Sequence, residues 1–216
     1  MGLRETKKQQ TRTAIADTAL GLFLERGFDR VTVAEVARRA GVSTNTVFNY
    51  FPAKEDLFFD RQAEVEDHLA ALVRDRAPDA CPVAVVRDDL LAALRRDDPV
   101  LGLRDGASAF WEVVLESPAL RAREREIGEN VEAALADALT ARPLEGAATE
   151  GRTGAVVLAG AVAGVHRAAL GELRRMVMAG EAPGRARDEV LTAARQGFDL
   201  LCAGLHRERD PMSHGH

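Results

Sequence analysis

Aromatic residues make up only 5% of this 216-residue chain, and it has just two cysteines, Cys81 and Cys202. Their separation offers neither a metal-ligand spacing nor a disulfide framework, so reduced thiols of a cytoplasmic protein are expected, with redox sensing as the alternative. No apolar run approaches the ~20 residues of a spanning helix, and no membrane partner is expected. The N-terminus is charged and polar through Arg12, unlike a signal peptide. No stretch alternates β-branched and polar residues between turns, so no strands are expected.

Catalytic signatures are missing as well. There is no His-x-x-x-His or Glu-x-x-His pair, and no Ser/His/Asp set on a strand-to-helix elbow. Gly102 and Gly106 have neither a preceding strand nor a following Lys-Ser/Thr. The close carboxylates Asp88 and Asp89, Asp97 and Asp98, and Glu124 and Glu126 read as solvated charge. His206, His214 and His216 crowd a polar C-terminal end without designed metal spacing. The expectation is therefore a chain with no enzymatic activity, no cofactor and no metal site.

What remains is abundant helix-forming sequence with an uneven charge. Residues 1–50 carry a formal charge of +3 and residues 51–216 a charge of −8, within a net −5. A basic head on an acidic body suits a module that meets phosphates at one end only, with affinity that falls steeply with salt. Arg4, Lys7, Lys8 and Arg12 lie where a flexible arm could reach a groove; a solvated tail is the plainer alternative for Arg4 to Lys8.

The densest signal runs from Thr32 to Phe51, TVAEVARRAGVSTNTVFNYF. Thr32 and Glu35 form a Thr-x-x-Glu capping box. Val33, Val36, Ala37 and Ala40 recur at helical spacing, and Ala37 is small enough for a close helix crossing. Gly41 can take the left-handed conformation that ends a helix, Val42 can plug the corner, and Ser43 is a good N-cap for the next helix. Val47, Tyr50 and Phe51 fall inward on that second helix. Thr44, Asn45, Thr46, Phe48 and Asn49 are left toward the outside. A short helix presenting small polar groups beyond a tight turn has helix-turn-helix spacing; an ordinary helical hairpin in a core is the alternative. Upstream, Ile15, Ala19, Leu22 and Phe23 share a helical face ended by Gly27, with Phe28 folding back on Phe23. Downstream, Pro52 stops the recognition helix and the segment from Lys54 starts another.

Three helices in this order, with the exit Tyr50-Phe51-Pro52-Ala53-Lys54-Glu55-Asp56-Leu57, resemble the amino-terminal domain of the TetR family of transcriptional regulators over about residues 10–60. The resemblance implies an all-α fold of about nine helices. It implies a DNA-binding domain at residues 1–53 and a helical ligand-binding and dimerisation domain at residues 54–216. It further implies that Ser43 and Thr44 contact phosphates and base edges, that Lys54 grips a phosphate, that Tyr50 faces the DNA backbone, and that Thr32 and Val33 point the start of helix two at a phosphate. Two departures stand out. Phe48 occupies a usual tyrosine position, trading a phosphate donor for an apolar contact such as a thymine methyl. Asn45 replaces a frequent glycine and could pair with adenine, or instead serve Ser43 within the first turn. Asn49 lies on the same outward side.

Beyond the head, helices are expected at about 54–76, 83–96, 99–104, 107–116, 119–141, 151–180 and 184–207, with Leu57, Phe58, Val65, Leu69 and Leu72 inward on the first, and with loops around Pro78 and at 144–150. Small residues on the penultimate helix (Gly154, Ala159, Gly160, Ala163, Gly164) permit close approach of another helix. Leu191, Ala194, Phe198, Leu201 and Leu205 give the last helix a matching stripe. By resemblance these two helices pair with their twofold mates as a homodimer; covering the monomer core is the alternative use of the stripe. The body is expected to bind a small apolar or amphipathic effector, with Phe110, Trp111 and Val114 lining its site and His68 and His166 as polar anchors; for Phe110 and Trp111 a plain core role is the alternative. The function implied is a ligand-responsive regulator in the cytoplasm, a repressor released from a twofold-symmetric duplex operator by a small molecule. A transcriptional activator of the same fold or a helical protein-binding module are the alternatives.

Overall fold

The computed structural model describes residues 2–96, 101, 107–143 and 151–206. Among these residues there are no strands, and ten helices follow one another: α1 (Leu3–Arg26), α2 (Val33–Arg39), α3 (Thr44–Tyr50), α4 (Glu55–Phe58), α5 (Gln62–Asp75), α6 (Pro82–Arg95), α7 (Ala107–Glu116), α8 (Pro118–Ala141), α9 (Gly151–Met178) and α10 (Pro183–His206). The expected helix at 99–104, the loop at 144–150 and the C-terminal histidines beyond α10 lie outside the described residues.

The chain forms two compact units. The first comprises Met1–Gln62 with Ala109–Arg125, and the second Ala63–Ser108 with Glu126–His216. The first unit is thus larger than the head of residues 1–53 expected from sequence, because it takes in most of α7 and the start of α8. Its core is built on Ile15, Phe23, Phe28, Val36, Val47, Phe51, Leu57 and Phe58, closed by Val113, Val114 and Leu120. Phe58 stacks on Phe110 at 4.5 Å between ring centroids, and Phe59 meets both rings edge-on. That arrangement explains why the single helix expected over 54–76 is broken. Neighbours on a continuous helix point about 100° apart, and Phe58 and Phe59 both reach Phe110 only because α4 ends at Phe58 and the chain turns before α5. Ser117 Oγ donates to Asp29 Oδ1 at 2.9 Å and Arg123 pairs with Asp56 at 2.6 Å, so polar contacts also hold this segment to the unit.

In the second unit α10 packs on both α9 and α6. Leu69, Leu90, Leu94, Leu135, Leu158, Leu173, Met176 and Phe198 form the centre of its core. Val65, expected inward, is 45% exposed. Gly197 is the tight point between α9 and α10: a Cβ there would stand 3.0 Å from Val165 Cγ1. Arg76 is buried and donates to the Val73 carbonyl in the last turn of α5, to the Ala80 carbonyl beyond it and to the Arg142 and Pro143 carbonyls after α8, capping groups that the helix ends leave open. Burial lowers its pKa.

The dimer residues inferred from sequence divide in two. Ala163, Ala194, Phe198 and Leu205 are buried in the core of the second unit, and Leu191 and Leu201 pack against that core. The stripe on α10 therefore packs on the monomer's own interior, the alternative use that the sequence allowed. A heptad-like pattern looks the same whether its partner is the same chain or another. Gly160 and Gly164 differ: each is only half-buried, and open space lies where a Cβ would go. The large apolar side chains that α9 and α10 leave outside are Val156 (47% exposed), Val157 (68%) and Leu200 (75%). By length and composition α9 is also apolar enough to cross a bilayer, with a mean hydropathy of 1.4. Its inner face, Ala155, Leu158, Ala159, Val162 and Ala163, packs in the core instead.

Candidate nucleic-acid interface

Helix α2 starts as its sequence requires. The Glu35 N–H donates to Thr32 Oγ1 at 3.2 Å, and the Thr32 N–H donates to Glu35 Oε2 at 2.9 Å. Arg26 adds an ion pair to Glu35 at 3.0 Å. Hydrogen bonds from the Thr32 amide and from Arg26 hold the Glu35 carboxyl down to about 2. The Thr32 amide is thus used internally, and Val33 is half-buried against the head core, so the start of α2 offers less to a phosphate than the resemblance implies.

The turn between α2 and α3 is a Schellman motif. The Val42 N–H donates to the Ala37 carbonyl at 2.9 Å and the Gly41 N–H to the Arg38 carbonyl at 3.3 Å. Gly41 has φ +70°, a left-handed conformation that glycine adopts without strain. The motif sets where α3 begins. There Ser43 Oγ accepts from the Thr46 N–H at 3.0 Å and lies 2.7 Å from the Thr46 hydroxyl. Ser43 takes Thr46 as its first-turn partner, which leaves no such role for Asn45.

Burial then fixes the orientation of α3. Val47 and Phe51 are 0% and 1% exposed. Tyr50 packs half-buried against the same core. Thr44, Asn45, Phe48 and Asn49 are exposed on the opposite side, Phe48 by 45%. A phenylalanine held in water costs hydrophobic free energy unless a partner covers it. Ser43 is exposed at the start of this surface. Arg38 and Arg39, exposed in the last turn of α2, are cations that the sequence reading passed over; their place just before Ala40 and the turn at Gly41 was the available signal.

Lys54 is turned toward the loop after α1. Its Nζ donates to the Phe28 carbonyl at 2.6 Å and sits 4.1 Å from the centre of the Phe28 ring. Burial lowers its pKa, against the pull of Asp29, Glu55 and Glu35. Arg12 is likewise turned inward: it donates to the Asp60 carbonyl at 2.6 Å and lies over Phe51. Since α1 begins at Leu3, Lys7 and Lys8 are exposed residues of a helix and not part of a free arm.

The residues expected to bind an effector fall into two groups, one in each unit. Phe110, Trp111 and Val114 belong to the aromatic core of the first unit, Val114 fully buried and Trp111 edge-on to Phe110 at 5.1 Å. This packing matches the plain core role that the sequence allowed for Phe110 and Trp111. His68 and His166 belong to the second unit, where they flank Asp89. The His68 ring nitrogen Nε2 lies 2.8 Å from Asp89 Oδ2, and hydrogen bonding to His68 lowers the Asp89 pKa. Burial, reinforced by nearby His68, holds half-buried His166 down to about 4 despite Asp89. These three residues join α5, α6 and α9. A separate polar cleft between α6 and α10 is lined by Arg87, Asp88, Leu91, Arg95, Arg195 and Asp199. Among the described residues no cluster of His, Cys, Asp and Glu has metal-binding geometry.

The chain is similar to known proteins. Residues 15–60 match the family model described as bacterial regulatory proteins, tetR family. The chain is 30% identical over 145 residues to the HTH-type transcriptional regulator TcmR of Streptomyces glaucescens, covering 65% of this chain and 64% of TcmR. It is 32% identical to the regulator AcrR of Shigella flexneri over 42% of this chain and 44% of AcrR. These matches span less than two thirds of either relative's length. Among solved structures, SmeT, the repressor of the Stenotrophomonas maltophilia multidrug efflux pump SmeDEF, shares the fold with a TM-score of 0.54 at 19% identity, over 91% of this chain and 90% of SmeT. At residues 15–60 the chain thus carries a domain that matches bacterial regulatory proteins of the tetR family.

Proposed function

We propose that this protein is a ligand-responsive DNA-binding transcriptional repressor acting in the cytoplasm as a homodimer. The observation that carries the reading is α3. Its Val47 and neighbouring Phe51 are buried while Thr44, Asn45, Phe48 and Asn49 face out from a capped and rigidly turned start. Such a helix fits the major groove, where amide and methyl contacts read base edges. Ser43, Thr44 and the exposed Arg38 and Arg39 supply phosphate contacts. Tyr50 supports α3 from its inner side, and Lys54 acts chiefly by holding the loop after α1.

Two recognition helices must reach successive grooves ~34–36 Å apart, which calls for a twofold dimer. The outward faces of α9 and α10, with Val156, Val157 and Leu200 exposed and Gly160 and Gly164 open to close approach, are the proposed contact. A partner there would cover the apolar side of α9. The effector site lies in the second unit, with His68, Asp89 and His166 as its polar group and an apolar or amphipathic molecule as its ligand. Release requires that the effector bind the non-operator conformation more tightly, and a coupling of ~1–3 kcal/mol gives ~5–150-fold.

Selection of bound sequences from random duplex DNA with the purified protein tests this reading. Recovery of a twofold-symmetric site with salt-dependent affinity is expected. Failure to retain any duplex in dilute salt would overturn it.

A further inference from the structure

We infer that Cys81 and Cys202 form a reversible intramolecular disulfide, a two-electron oxidation site that staples α6 to α10. The chain's two cysteines stand 121 residues apart in sequence, yet their sulfur atoms lie 3.9 Å apart. Both are free thiols in the structure and both are half-buried, so a small reagent can reach them while the surrounding core keeps them together. Cys81 is the N-cap residue of α6 and Cys202 lies in the final turns of α10. These helices pack directly on each other, and Arg87 on α6 pairs with Asp199 on α10 at 2.7 Å, fixing the same interface beside the thiols. A disulfide needs its sulfurs at about 2.05 Å, a closure of under 2 Å that side-chain rotation can supply without parting the helices.

The oxidant is a low-molecular-weight disulfide, and the step is thiol–disulfide exchange. The Cys202 thiol is held protonated by burial and by neighbouring Cys81, so Cys81 opens the exchange. Its thiolate attacks one sulfur of the small disulfide; that S–S bond breaks, a mixed disulfide forms on Cys81, and one small thiol leaves. Burial still raises the Cys202 pKa once the Cys81 sulfur is capped, but the neighbouring thiol no longer does, and the Arg87 guanidinium favours the thiolate. Cys202 then loses its proton to solvent and attacks the Cys81 sulfur, expelling the second small thiol. The protein thiols lose two electrons and two protons, and the small disulfide becomes two thiols.

The purified full chain, treated with oxidised glutathione, then denatured and alkylated, tests the inference by intact mass and peptide mapping. The expected product takes no alkyl group, weighs about 2 Da less than the reduced chain, yields a linked Cys81–Cys202 peptide pair and reverts with a dithiol reductant. Closing so long a loop should raise the melting temperature by roughly 5–15 °C in the oxidised chain. C202S should trap a glutathione adduct on Cys81, and C81S should leave Cys202 unmodified. Two alkylated thiols per chain after oxidation, a stable glutathione adduct in place of the bridge, or a link between chains would each overturn it. The wild-type measurement decides the matter even if a variant fails to fold.

Discussion

The Lys54 ammonium donates to the carbonyl oxygen of Phe28 at 2.6 Å and covers that residue's ring. A residue that the resemblance assigns to a phosphate here holds the loop that closes the head. Replacing it with methionine keeps the stem but removes the hydrogen bond and the cation–π contact. A loss of about 1–2 kcal/mol is expected, read as a melting temperature lower by roughly 2–8 °C. An unchanged melt together with weakened operator binding would return Lys54 to the phosphate.

Asn45 and Phe48 should act on sequence preference and not on folding. Both are exposed, and neither caps α3. Asn45→Ala should relax discrimination at one base pair of each half-site by about 1–3 kcal/mol, with the melt unchanged. Selected-site profiles for the two proteins check this, and identical profiles would remove Asn45 from base reading.

Acid should weaken the body in a defined window. Burial holds His166 down to about 4 in the folded chain, against an ordinary 6.5. Between those values the unfolded chain binds a proton that the folded chain refuses, so stability is full above about 6.5 and falls as pH drops toward 4. The lowered carboxyl of Asp89 works in the same direction but only below its ordinary 3.8, so it leaves the upper window to His166. At most about 3 kcal/mol is involved. Melts of wild type and His166→Gln between pH 7.5 and 4.5 should differ in slope, the variant being flatter; parallel curves would contradict the assignment.

Two substitutions on α10 separate the core stripe from the outer face. Phe198→Ala removes a fully buried ring and should cost about 3–5 kcal/mol, whatever the oligomeric state. Leu200→Glu alters a side chain that is 75% exposed, so it should spare the monomer's fold while converting dimer to monomer in sedimentation. A dimer that survives Leu200→Glu would move the interface elsewhere.

The head was legible residue by residue because its signals are local. Thr32 and Glu35 cap, Gly41 turns and Ser43 caps again within twelve residues, and each does so through backbone groups that its own sequence neighbours supply. The body was legible only as helix boundaries. Whether Phe198 meets its own chain or a partner, and whether Phe110 lines a pocket or plugs the head, depends on contacts between residues far apart in sequence, to which periodicity is blind. Arg76 illustrates the same gap: nothing near it in sequence marks a buried guanidinium that caps carbonyls more than sixty residues away. The approach of Cys81 to Cys202 was equally invisible.

The contribution of α7 and α8 to the first core has a practical corollary. An excised fragment stopping at residue 62 would keep the turn and the reading helix but lose one wall of its interior. The ring of Phe58 would then face water where Phe110 now stacks, and Asp29 and Asp56 would each forfeit a polar tether. Such a truncation should be sticky and partly molten, and grafting this reader onto another effector module would require carrying residues 109–125 along with it.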